Sequence, residues 1–160
     1  MKVIFCIFVV LTSLTSIASD FEKVPLSTSF FEASANLNRR SDFHDFLESR
    51  TVNSATNRAY LGAAKALMAE VVSNPYSKLS YFNDGKELID EAINMDPKNA
   101  ELRYLRFMIQ QNTPDFLNYS DDINVDFAIL KREMKNSTNK SSWMKELSQY
   151  LETNNSKYKV

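Results

Sequence analysis

The stretch YFNDGKELIDEAINMDPKNAELRYLRF, Tyr81 to Phe107, decides the fold, because it sets one of only two glycines of the chain inside a helical pattern. Phe82, Gly85, Leu88, Ile89, Ala92 and Ile93 recur at steps of three and four, the period of an α-helix with one buried face. DPKN ends that helix, and Asn99 is a good N-cap for another running from Ala100 to about Gln111. A glycine inside a helix costs about 1 kcal/mol relative to alanine. The other glycine, Gly62, also falls within a helical pattern, so both positions read as contact points where helix backbones approach closely. The third and fourth helices are expected to cross there.

Working outward, the same period recurs. A first helix is expected from about Ser29 to Leu37, and a second behind Ser41 as N-cap, with Phe43, Phe46 and Leu47 on one face. The third spans about Ala55 to Val72, with Tyr60, Ala63, Ala64, Leu67, Met68 and Val71 in register. SNPYSK interrupts it, and the fourth is expected from about Leu79 to Met95. NTPDFLNYSDD is the longest irregular connection. A sixth helix carries Ile123, Phe127, Leu130 and Met134, opened by Ser120, Asp121 and Asp122, and a last one carries Trp143, Leu147, Tyr150 and Leu151. No segment alternates with period two for long enough to make a strand, so the class is all-α, with about six to seven helices.

The N-terminus reads MKVIFCIFVVLTSLTSIASD, a lysine followed by nine apolar residues, Val3 to Leu11, and a small-residue stretch. This is the pattern of a secretory signal peptide, with cleavage expected after Ala18 or Ser19. The apolar run is shorter than the ~20 residues of a spanning helix, so no stable membrane insertion is expected after its removal. The single cysteine, Cys6, lies inside this run, which leaves the mature chain without disulfides. Residues 19–28 are expected as a flexible leader, 29–153 as one helical domain and 154–160 as a disordered tail. Lys+Arg number 19 and Asp+Glu 20, a balance that gives no electrostatic footprint for nucleic acid. Asn-x-Ser/Thr sequons occur at Asn118, Asn136 and Asn139.

From Gly85 to Pro97 the spacing of Gly85, Ile89, Ala92 and Pro97 resembles the second helix of a tetratricopeptide repeat, and Tyr60-Leu61-Gly62 resembles the first helix of such a repeat. The gap between Gly62 and Gly85 is about eleven residues longer than in that repeat, with VSNPYSKLSYFN as the insertion, and Phe107 stands where a following repeat has a small residue. The resemblance implies antiparallel helix pairs in a right-handed stack, with Gly62, Gly85, Ala92 and Pro97 as structural helix contacts. Over about Ala59 to Asp126 the chain is also similar to a group of small exported Bacteroidetes-type proteins, which implies a periplasmic or secreted location.

Counting residue types excludes most chemistry. Two glycines 23 positions apart make no phosphate loop, and the mature chain has no thiol for a nucleophile or a zinc cluster. One histidine, His44, cannot supply a paired-histidine site, and set between aromatics in FHDF it reads as a surface or boundary residue. Asp115, Asp121, Asp122 and Asp126 lack the alternation and turn glycine of a calcium loop. No enzyme, cofactor or metal is therefore expected.

Two features point to binding. Arg103 and Arg106 lie three apart on a helix that is otherwise apolar or aromatic, and guanidinium suits carboxylates. They read either as internal ion pairs with Glu91, Glu101 or Asp126, or as a clamp for a partner's carboxylate. Phe116 and Tyr119, in the long connection, read either as a plug over the helices or as exposed binding anchors. The functional expectation is a non-enzymatic module that binds a protein or peptide partner in the cell envelope. The alternatives are a small-ligand carrier with an apolar inter-helix cavity of roughly 300 Å³ or more, and a structural subunit of an envelope complex.

Overall fold

A computed structural model of the chain describes residues 20–153 and Tyr158. The expected signal peptide lies outside the described residues, as does the expected tail apart from Tyr158. The described residues are helical, without a strand among them. Seven α-helices succeed one another: α1 Leu26–Ala35, α2 Leu37–Glu48, α3 Ala55–Val71, α4 Pro75–Met95, α5 Ala100–Asn112, α6 Ile123–Asn136 and α7 Ser142–Thr153, with a 3₁₀ turn at Asp115–Leu117 before α6. Residues 20–23 are helical too, which brings the number of α-helical segments among the described residues to one above the expected range.

Asparagines set several boundaries. Asn36 ends α1 and caps α2, its side chain accepting from the Asn38 N–H at 3.0 Å, so Ser41, expected as the cap, lies a turn inside α2. Asparagine ranks with serine at an N-cap, and the earlier of the two takes the role. Likewise α4 starts at Pro75 rather than at Leu79. Proline at the first helical position gives up a hydrogen bond that no helix makes there, and the Asn74 side chain accepts from the N–H groups of Tyr76 and Ser77. Asn99 caps α5 as expected, accepting from the Glu101 N–H at 3.1 Å. Asp122 stands at the N-cap of α6 but makes no capping hydrogen bond; its carboxylate turns to Arg106 instead.

The most extensive helix contact is that of α3 with α4, and the two glycines make it possible. A Cβ at Gly62 would lie 2.6 Å from the Gly85 carbonyl oxygen, and one at Gly85 would lie 2.5 Å from that of Gly62 and 2.7 Å from the Ala66 nitrogen. Each glycine therefore accommodates the backbone of the other helix, as the sequence pattern implied. Ile89 and Ala92, on the same face of α4, are fully buried. Pro97 is exposed in the turn after α4, and its carbonyl accepts from Arg103.

The remaining helices build on this pair. Helix α5 packs on both α3 and α4, α6 on α5, α2 and α1 on α3, and α7 returns to α1 and α5. The core is aromatic-rich, with Phe30, Phe43, Tyr60, Tyr104 and Phe107 at 1% exposure or less. Both ends of the domain reach further than expected. In the leader, Phe21 is buried against Phe43 and stacked on Phe46, with Arg39 over its ring. In the tail, Tyr158 is buried against Phe107 and Phe127, and its hydroxyl donates to Asn124 Oδ1 at 2.8 Å. His44 is buried rather than at the surface, edge-on to Tyr81.

Candidate functional site: a closed ionic junction and an open apolar cleft

Arg103 and Arg106 sit one turn apart on α5 and meet Asp126 of α6, which is fully buried. Arg106 holds it with two of its three guanidinium nitrogens, Nε to Oδ2 at 2.7 Å and Nη2 to Oδ1 at 3.0 Å, and Arg103 Nη1 reaches Oδ1 at 2.9 Å. The remaining nitrogen of Arg106 is 3.1 Å from Asp90 on α4 and 2.9 Å from Asp122. Burial opposes the charge on Arg106, but Asp126, Asp90 and Asp122 more than offset it and hold its pKa above the ordinary arginine value. The two arginines therefore tie α4, α5 and α6 together. Of the three expected carboxylate partners only Asp126 takes the role: Glu91 pairs with Arg58 at 2.7 Å, and Glu101 accepts from the Tyr60 hydroxyl.

Tyr119 closes the same junction. Its hydroxyl donates to Asp90 Oδ1 at 3.3 Å, its ring meets Phe82 edge-on, and the Lys86 ammonium lies over the ring. Phe116, three residues earlier, is 83% exposed, against 6% for Tyr119. Between them Asn118 takes a left-handed conformation at φ 49, which asparagine tolerates better than most residues. The expected pair thus divides into a plug, Tyr119, and an exposed aromatic, Phe116.

At a different place in the fold the ends of α1, α3, α5 and α7 converge on the start of α4 and on the 113–117 connection. They leave a partly enclosed cleft of about 880 Å³ with mainly apolar walls. Phe30, Leu67, Phe82, Met108 and Ile109 are buried residues of its floor, while Lys78, Leu79 and Phe116 are exposed and mark its mouth. Wall and floor draw on aromatic and aliphatic residues whose spacing had assigned them to the core. One ion pair stands in the wall, Arg40 Nη1 to Glu70 at 2.6 Å. Its arginine also donates to the carbonyls of Ala33 and Ser34 at the end of α1.

No cluster of three or more histidine, cysteine, aspartate or glutamate side chains suited to a metal occurs among the described residues, and none of their helices is long and apolar enough to cross a membrane. Comparisons with protein-family models, curated proteins and solved structures gave no match for this chain. An apolar inter-helix cavity was among the stated alternatives, but its place in the fold and its lining were not. The only advance signal of that place was the position of Phe116 and Leu117 beside a proline in a long connection.

Proposed function

We propose that this protein is a non-enzymatic, exported helical module that carries a small apolar ligand in the cleft between α1, α3, α4, α5 and α7. The observation that carries it is the cleft itself: about 880 Å³, within the roughly 300–1,000 Å³ of small-molecule sites and well above the lower bound that distinguishes a carrier. The order of the two expected readings is thereby reversed. A clamp built on Arg103 and Arg106 loses support, because their guanidinium groups are committed to Asp126, Asp90 and Asp122.

A tetratricopeptide-like stack is consistent with α3 pairing with α4 and α5 then packing on both, succeeded by α6 on α5. In such stacks ligands occupy the concave face, and α7, returning to α1, would narrow that face to a pocket. Export to the periplasm follows from the opening residues and from the resemblance over Ala59 to Asp126. A second reading, a protein or peptide segment seated at the mouth, is favoured by the exposure of Phe116 (83%) and of Tyr76 (86%), next to Pro75 in the cleft wall.

Native mass spectrometry and calorimetry with hexadecan-1-ol, a neutral chain, distinguish the two. Wild type is expected to bind one molecule. The Ala69→Trp variant, which places a large ring in the cleft from a partly exposed position, is expected to keep its helical circular dichroism and lose binding. No binding by wild type, or equal binding by the folded variant, contradicts the carrier.

A further inference from the structure

The polar groups of the cleft restrict what it can hold. Most polar side chains in its wall are turned back onto backbone carbonyls in the last turns of their helices, and three of these carbonyls, Ala33, Ser34 and Ile109, are among the four that a helix leaves without an internal partner. Ser34 donates to Phe31 O at 2.7 Å, Asn112 to Met108 O, Thr113 to Ile109 O and Thr153 to Gln149 O, each at 2.8 Å, and Arg40 donates to Ala33 O and Ser34 O. With these donors occupied, the walls give little compensation to a ligand that buries polar groups along its length, and burying an uncompensated polar group is unfavourable. A hydrocarbon chain meets no such difficulty.

Among the described residues three charged ones line the cleft, Arg40, Glu70 and Lys78, and one of them is left without a partner; exposed Asp115 belongs to the same connection as Phe116 but does not line the cleft. Glu70 is neutralised by Arg40 at 2.6 Å. Lys78 is exposed at the mouth, and its ammonium has no hydrogen bond or ion pair among the described residues. It lies at the N-terminal end of α4, the positive end of that helix dipole, and no acidic residue occupies the first turn of α4 to offset it.

We propose, on the premise that the cleft is a ligand site, that its ligand is a single-chain amphiphile with an anionic head group, the chain lying along Phe30, Leu67, Phe82 and Ile109 and the head meeting Lys78. A carboxylate and a phosphate monoester share the chemistry that Lys78 recognises, so both belong among the probes.

The experiment compares four chains of equal length by calorimetry on the purified protein: hexadecanoate, hexadecyl phosphate, hexadecan-1-ol and hexadecyltrimethylammonium, each kept below its micelle concentration. At least one anion is expected to bind roughly fivefold more tightly than the alcohol, the scale of one exposed ion pair. That advantage is expected to shrink at high salt. In Lys78→Gln it should vanish and in Lys78→Glu reverse, while both variants keep wild-type affinity for the alcohol and so report an intact fold. The preferred anion identifies the head group as carboxylate or phosphate. An alcohol or ammonium chain that binds as tightly as both anions, or an anion preference that survives Lys78→Glu, overturns the anionic head and leaves the carrier standing. Failure of all four chains to bind overturns both.

Discussion

The junction around Asp126 and the cleft around Phe82 are both meeting places of several helices, and they were resolved in opposite ways. At the junction, two arginines, three aspartates and a tyrosine bind one another, with Arg103 Nε the one buried nitrogen there left without a hydrogen bond among the described residues. At the cleft, the polar groups serve helix ends and the apolar side chains are left facing space. Conspicuous charge on an apolar helix thus marked the part of the molecule that is finished, and ordinary aliphatic and aromatic spacing marked the part that is open.

The contrast is most easily broken at Asp126. Removing one partner of a buried ion pair leaves the other charge uncompensated and destabilises by about 3–5 kcal/mol. Asp126→Ala is therefore expected to lower stability by that amount in urea unfolding, since Arg103 loses its carboxylate and Arg106 keeps only Asp90 and Asp122. A loss below about 1 kcal/mol, the scale of an exposed pair, would show that the junction is not a closed structural element.

A smaller effect is expected at Gly62. A methyl group there would come within 2.6 Å of a backbone oxygen of α4, and overpacking of this kind costs typically about 1–3 kcal/mol. Gly62→Ala should destabilise despite alanine's better helix propensity, which by itself favours the variant by about 1 kcal/mol. A more stable variant would mean that the two backbones do not approach so closely.

High pH separates the junction from the cleft with a milder perturbation. Burial, and then the charge of Asp90, push the Tyr119 hydroxyl well above its usual pKa. Tyr60 and Tyr104 are raised by burial together with Glu101 and Glu146. Tyr150, at the cleft, is raised less, by burial that a hydrogen bond with Asn112 opposes. Since the folded state holds these protons more tightly than the unfolded chain, stability is full below pH ~10 and is lost as the pH rises above it. Tyrosinate absorbance should show Tyr150 ionising before Tyr119, as read by comparing Tyr150→Phe and Tyr119→Phe variants. The reverse order would place Tyr119 outside the junction.

Least affected should be Phe116→Ala. At an exposed position stability should change by no more than about 0.5 kcal/mol, whereas affinity for a chain ligand should fall several-fold because the mouth loses an aromatic contact. Unchanged affinity would remove Phe116 from the site.

What the sequence made legible depended on whether an interaction is carried by residue type or by position in space. Gly62 and Gly85 were readable because a helix interior rarely keeps glycine without a close neighbour, and each proved to be the other's. Pairing of Arg103 and Arg106 with Asp126 was among the stated choices, but three carboxylates were equally available until the packing of α6 on α5 selected one. Boundaries shifted where an asparagine cap stands ahead of the expected start, Asn36 before Ser41 and Asn74, followed by Pro75, before Leu79. Phe116 and Tyr119 could not be told apart, because a backbone reversal at Asn118 sends one outward and the other into the core. The cleft was legible only as an alternative, without a place. Phe30, Leu67, Phe82 and Met108 have the same helical spacing whether a neighbouring helix fills the space before them or stands away from it.

One measurement bears on the central claim most directly: side-chain NMR of the protein titrated with hexadecanoate, with the methyl groups of Leu67, Met108 and Ile109 and the Nε–H group of Arg106 tracked together. The account predicts saturable shifts of the three methyl signals while the Arg106 signal stays in place. Movement of Arg106 with the methyl groups unmoved would contradict it, and would return the binding site to the arginines.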